Sequence, residues 1–291
     1  MQNWHLRCLN KWYGVSQEDL GITVAKVDVI LLTKNSVFPC LKDCLRSVYA
    51  NVPVNRLLVV DGGSQDETLQ VVSDFPKVEI IEDLNGNRAT ARQKGINAVE
   101  TEWHLHVDSD VILCKGWFSK ADLLITPKVG AIWGAAVPMQ KHIYNITRAM
   151  ARFYRKGIMD LAIEQPSLKR FLTHDTLIRT EALEGIRIPN NLHIWEDHYI
   201  GMHLVSRNYK WIMAKEPFCY HYEHERRSFN DFVQSGALAK KVGAYTRQQI
   251  LMRVSLGIPK ALWILAFTGD PMASKLQLEN YIGLVKGWLG T

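Results

Sequence analysis

The chain has 291 residues, 47% hydrophobic and 22% charged, which excludes a disordered, coiled-coil or collagen-like chain and leaves one large domain with its own core. Its formal charge is +6, and residues 240–291 carry seven basic against two acidic side chains, nearly the whole excess. The body is therefore close to neutral and no nucleic-acid partner is expected, while the basic end suits an anionic surface.

Residues 1–25 form an N-terminal extension with no apolar core of a signal peptide. A buried strand is expected over 27–33 (VDVILLT) and a helix over 39–49. A second strand follows over 55–61, then a helix over 65–75 with Ser64 or Asp66 as N-cap. A strand over 77–83, a helix over 88–100 and a strand over 102–110 (EWHLHVDSD) complete the first half. Alternating strands and helices predict an α/β fold with a mostly parallel, Rossmann-like sheet and helices on both faces. Every such strand ends on one edge, where ligands bind. Thr33, Asp61, Glu82, Asp83, Asp108 and Asp110 all end strands there.

The second half is less regular. Helices are expected over 117–125, 144–163 and 196–208, and strands over 130–138 and 209–213. Residues 171–183 read as strand, turn and helix, and 229–291 as mostly helical. No run near the end is long enough to span a bilayer, the best being 261–269. Four parts result: the extension, a first half at 26–112, a second half at 113–235, and a helical basic tail at 236–291. Five scattered cysteines give no disulfide framework and fit a reducing, cytoplasmic setting. Cys40 and Cys44 share one helix face and read as packed core thiols.

Asp108-Ser109-Asp110 is the sharpest local feature. Two carboxylates so close repel each other, and a hard divalent cation such as Mg²⁺ or Mn²⁺ removes the conflict. His104 and His106 share a strand face with Asp108 and read as packed, hydrogen-bonded side chains rather than as ligands.

Taken in order, VDVILLTKN, LLVVDGGSQDET, NGNRATARQKGINAV, HVDSD and IWEDHYIGMHLVSRNYKW resemble the family 2 glycosyltransferases of GT-A fold, over roughly residues 26–225. The resemblance implies a metal-dependent, inverting transfer from a UDP- or GDP-sugar to a glycan or lipid-linked acceptor. It implies nucleotide contacts from Thr33, Asp61, Arg88, Arg92 and Asp108, with Gly62 standing where relatives often carry a second Asp. Asp110 would hold Mn²⁺ or Mg²⁺, joined by His221, with His224 next in line. Asp197 would be the general base, with Glu196 and Asp175 near the donor or acceptor sugar. The stretch FVQSGALAKKVG lacks the Gln-Xaa-Xaa-Arg-Trp of processive synthases, which disfavours a polymerase. A sugar-phosphate nucleotidyltransferase would need a Gly-rich basic loop after the first strand, and TKNSVFP offers only Lys34. An inactive glycan- or membrane-binding module need not keep Asp110, Asp197 and His221 together. Residues 240–291 mix Trp263, Phe267, Tyr281 and Trp288 with basic charge, as a helix peripheral to a cytoplasmic membrane face would.

Overall fold

Strands buried on both faces explain the runs of Val, Ile and Leu in the first half. In the computed structural model, which describes residues 26–164, 170–223 and 228–290, β1 (Val27–Thr33), β2 (Val54–Asp61), β3 (Val78–Glu82) and β4 (Trp103–Asp108) lie parallel in the order β3-β2-β1-β4. The extension 1–25 and His224 lie outside the described residues. Helices α1 (Leu41–Asn51), α2 (Thr68–Ser73) and α3 (Arg88–Ala98) make the crossovers. Side chains alternate between two cores: Val29 and Leu31 pack with Leu41 and Leu45 of α1, whereas Ile30 packs with Ala89 and Ile96 of α3. Thr33 pairs with Asp61, and Leu32 with Asp108, so these strand ends share one rim.

Beyond β4 the sheet continues through β7 (Asp175–Arg179), β6 (Val129–Pro138), β8 (Lys210–His221) and β5 (Val111–Leu113), making eight strands. β7 is antiparallel to β4 and β6, β8 is parallel to β6, and β5 is antiparallel to β8. Four of the seven pairings are parallel, so the expected mostly parallel α/β sheet with helices on both faces holds. Helix α4 (Trp117–Asp122) covers one face, and α7 (Glu196–Ser206) with the turn Thr180–Leu183 covers the other. Helices α5 (Lys141–Phe153), α6 (Ile158–Glu164), α8 (Phe229–Lys241), α9 (Arg247–Thr268) and α10 (Pro271–Leu289) form a helical region that ends in the expected helical tail.

Four expectations change. The strand expected over 209–213 runs on to His221. Lys215, Glu216 and Pro217 hid its continuation, because they bulge out where the partner of Gly134 is Ala214 and that of Ala135 is Phe218. The helix expected over 144–163 is two helices, broken where Arg155 takes a left-handed φ of 55° just before Gly157. The helix expected over 65–75 shrinks to α2, because the Asp66 side chain accepts the Thr68 N–H and holds the preceding turn open. Lastly, α9 is, by length and composition, long and apolar enough to cross a bilayer. An uncharged run of nine residues understates it, because Lys260 interrupts the sequence without interrupting the helix.

Candidate active site

The rim where β1, β2 and β4 end carries the first group. Asp61 is buried, and its carboxylate accepts from Thr33 Oγ1 (2.8 Å), Ser64 Oγ (2.6 Å), Gly63 N (2.9 Å) and Ser64 N (2.8 Å). Burial alone would raise its pKa; these four donors outweigh burial and hold it below the usual carboxylate range. Thr33 and Asp61 thus meet as the motif implies, and Asp61 fixes the loop that follows β2. Gly62 leaves room for the Lys34 side chain, whose Cδ would lie 3.2 Å from a Cβ there.

Arg92 is no solvated helix charge. It is buried, with Nη2 donating to Asp108 Oδ1 at 2.6 Å and Nη1 lying 3.0 Å from His106 Nδ1. His106 is held neutral, first by burial and then by the Arg92 charge, so Nδ1 accepts and Nε2 carries the proton. Burial works to raise the Asp108 pKa, but Arg92 and the neighbouring His174 and His221 pull it down. His104 is equally buried and bonds to Thr180 Oγ1 at 2.9 Å, so both histidines pack as expected. Arg88 is exposed at the start of α3, whose N-terminus is closed by an Asn87–Thr90 capping box.

Asp110 and His221 come together through sheet register. β5 pairs Val111 with His221, and Asp110 O accepts from Tyr222 N at 2.8 Å. The Asp110 carboxylate then lies 3.4 Å from His221 Nε2. Burial would lower the His221 pKa, but the Asp110 hydrogen bond and charge, with Glu223 and Asp108, carry it up to about 9. Asp110 Oδ1 and His221 Nε2 face each other and offer one oxygen and one nitrogen donor of the kinds that suit Mn²⁺, while Glu223 lies on the other side of the ring, 3.9 Å from Nδ1. The donor chemistry fits a divalent cation.

Asp175 is a correction. It was expected beside a sugar, yet it is fully buried and turned away from the rim. β7 points Asp175 and Leu177 to the face that α4 covers, where Trp117 Nε1 donates to Asp175 Oδ2 at 2.9 Å. Gly134 is tight here, since a Cβ would collide with that carboxylate and come within 3.0 Å of Pro217 O. His174, Asp175 and Cys219 are close enough to hold a metal ion by distance alone. Trp133 Nε1, however, donates to His174 Nε2 at 2.9 Å, which places the histidine proton on Nδ1, 2.7 Å from Asp175 Oδ1. The trio is fully enclosed, with His174 and Asp175 held by Trp133 and Trp117, and it packs as a polar unit behind the rim. Its outer member, His174, lies against His221, with ring centroids 5.3 Å apart.

The acidic pair sits at the start of α7, as the motif predicts. Glu196 and Asp197 are both buried. Burial and then the Asp197 charge raise the Glu196 pKa to about 7, against the pull of Arg92, Arg88 and Arg170. Arg170 is a residue the sequence reading missed, because no local pattern marks it. Its Nη2 lies 3.3 and 3.4 Å from the two Asp197 oxygens, and its guanidinium stacks 4.3 Å over the Trp195 ring. Trp195 holds a left-handed φ of 75° at the helix N-cap, a conformation that is uncommon for a bulky residue and is maintained by its surroundings. It is buried, with Nε1 donating to Ser235 O at 3.0 Å, so α8 locks the start of α7.

The Glycosyl transferase family 2 model matches residues 28–187, more than half of the chain. No curated protein matches the sequence. Among solved structures, the mannosyltransferase PcManGT from Pyrobaculum calidifontis, in complex with GDP-Man and Mn²⁺, is similar at a TM-score of 0.63 with 15% identity, covering 99% of this chain and 93% of that one. TarS 1–349 from S. aureus in complex with UDP-GlcNAc gives a TM-score of 0.56 with 15% identity, covering 90% of each chain. These likenesses place the fold with GT-A glycosyltransferases.

Proposed function

The chain belongs to glycosyl transferase family 2, and from that premise we propose a metal-dependent, inverting transfer of a sugar from a UDP- or GDP-sugar to a glycan or lipid-linked acceptor. The observation that carries the reading is the meeting of Asp110 and His221, 3.4 Å apart, on the rim that also holds Asp61 and the Arg92–Asp108 pair. PcManGT was captured with GDP-Man and Mn²⁺, and TarS with UDP-GlcNAc, which supports a nucleotide-sugar donor here.

In this reading Thr33, Asp61 and Arg88 flank the nucleoside. Arg92 orients Asp108 toward the ribose. Asp110 and His221 would hold Mn²⁺ or Mg²⁺, which when bound would supply positive charge to offset that of a departing diphosphate. Asp197 accepts the proton of an acceptor hydroxyl, which attacks the anomeric carbon opposite the diphosphate. Arg170 and the His198 N–H, 2.7 Å from Asp197 Oδ1, fix that carboxylate in place. Much of the rate then comes from holding acceptor and donor in line. An acceptor that is already an ionised phosphate needs no base, and Asp197 then positions it. The helical region makes peripheral contact with a cytoplasmic membrane face, where a lipid-linked acceptor resides.

The test is release of UDP or GDP from a panel of sugar nucleotides with Mn²⁺, with EDTA, and in Asp110→Asn. Turnover that needs the metal and falls at least a hundredfold in the variant supports the reading. Metal-independent turnover, unchanged in the variant, overturns it.

A further inference from the structure

Helices α5 and α9 carry a surface that the transfer reaction does not use. α9 is largely apolar, with Arg247, Arg253 and Lys260 as its charged side chains. One face is buried in the fold: Ile250 packs with Trp195 and Tyr245, and Ile264 with Ala149 and Met150 of α5. The opposite face is not. Leu251, Val254, Ile258, Leu262 and Leu265 recur at steps of three and four and form one outward stripe, about 21 Å long at 1.5 Å per residue. Leu251, Ile258 and Leu262 are 68%, 63% and 61% exposed.

Arg253 and Lys260 lie a heptad apart on the side of α9 away from the stripe. Arg253 leans over Tyr245, 4.6 Å from its centroid, and Lys260 over Tyr154, 5.4 Å away. Beside α9, the end of α5 and the turn after it form an open pocket of about 760 Å³ lined by Arg152, Phe153, Arg155, Lys156 and Trp263. Trp263 is anchored there by its Nε1, which donates to Ala149 O at 2.8 Å. Residues 141–156 contain five basic and no acidic side chains, and residues 247–268 contain three basic and none acidic. Of the acids nearby, Asp160 is paired with Lys215, and Asp270 is engaged by His142 and Asn145 and caps α10. α5 begins next to His221, whose carbonyl accepts from Met139 N, so the pocket lies about three turns of helix away from the proposed metal ligands.

We propose that the α9 stripe and the Arg152–Lys156 pocket together form a docking face for an anionic lipid bilayer, the stripe entering the acyl boundary and the pocket taking phosphate headgroups. This rests on the peripheral membrane contact above and names its surface and lipid class. Apolar side chains flanked by aromatic rings and long basic side chains suit the boundary between headgroups and hydrocarbon. The helix lies flat in this arrangement. Its inner face is committed to α5 and α10, and spanning would draw Lys260 and the charged side chains of α10 into hydrocarbon, a large cost.

Flotation of the full chain with phosphatidylcholine vesicles, with and without phosphatidylglycerol, tests it. Two triple variants are compared, Leu251→Ser/Ile258→Ser/Leu262→Ser and Arg152→Gln/Arg155→Gln/Lys156→Gln, and sedimentation equilibrium gives their oligomeric state. The expected result is binding to anionic vesicles that high salt weakens, reduced at least tenfold in each variant, with the chain monomeric throughout. Vesicle binding left unchanged by both variants overturns this face while leaving membrane contact standing. Equal binding to neutral and anionic vesicles overturns the headgroup pocket. A dimer that the Ser variant dissociates, with vesicle binding unaltered, assigns the stripe to a second copy instead. No binding to any vesicle refutes the membrane contact itself.

Discussion

Replacing Gly287 by Ala puts the support of the acidic pair to a quantitative test. Gly283 and Gly287 lie four apart on α10, and Gly236 faces them from α8. A Cβ at Gly287 would collide with the Val233 carbonyl and stand 2.8 Å from Val233 C and 2.9 Å from Ala237 N. All three atoms are backbone, so no rotamer change relieves the contact and the helices must separate. On propensity alone, Ala for Gly within a helix stabilises by about 1 kcal/mol. Overpacking costs about 1–3 kcal/mol, at the upper end where the obstacle is backbone. Separation also strains the Trp195–Ser235 hydrogen bond, worth about 1 kcal/mol. The balance is a destabilisation of about 2 kcal/mol, or roughly 4–8 °C in Tm. Because Ser235 holds Trp195, transfer activity should fall at temperatures where the variant remains folded. Urea denaturation and differential scanning fluorimetry measure the first effect, and donor turnover the second. A Gly287→Ala protein as stable as the parent, or more so, would refute the close α8–α10 crossing.

Other perturbations have definite signs. Glu196 has its folded pKa raised to about 7 from an ordinary 4.5, so the native state holds a proton that the unfolded chain releases between those values. Stability should therefore fall as pH rises through that window, by up to ~3 kcal/mol, and Glu196→Gln should abolish this slope. Urea titrations of the metal-free protein at pH 5 and pH 8 decide it, and parallel slopes in both proteins would count against a buried, protonated Glu196. Trp117→Phe removes the donor to Asp175 Oδ2 and leaves a small void, so a loss of about 2–4 kcal/mol is expected in chemical denaturation. A loss below half a kcal/mol would show that Asp175 does not depend on Trp117. Arg170→Ala should lower turnover more than Arg170→Lys, because Lys keeps the charge facing Asp197 while losing the stacking on Trp195. Equal, unchanged turnover in both variants would remove Arg170 from the site.

The first half of the fold was legible because its physics is local. Parallel strands buried on both faces require unbroken runs such as VDVILLT, and short crossovers bring Thr33, Asp61 and Asp108 to one rim. His221 and Asp110 were both legible through resemblance, but the strand pairing that brings them together was not. The contact with Asp110 depends on β5 pairing antiparallel with β8, and β8 was hidden by Lys215–Pro217. Asp175 misled because one residue of strand parity separates the rim from the core, and parity in β7 is set by its antiparallel neighbours. Arg170 left no local signal, since its role comes from a contact 27 residues along the chain. The outward face of α9 was missed because composition reports how apolar a segment is and not which side is covered.

The central claim is that Asp110 and His221 grip a divalent cation that joins the chain to a nucleoside diphosphate. Thermal unfolding with UDP or GDP, in the presence and absence of Mn²⁺, tests it most directly. One of the nucleotides at 100 times its dissociation constant should add about 2.7 kcal/mol of stability. That gain should need Mn²⁺ and vanish in Asp110→Asn and His221→Gln. The same gain without metal, or its survival in both variants, would contradict the account.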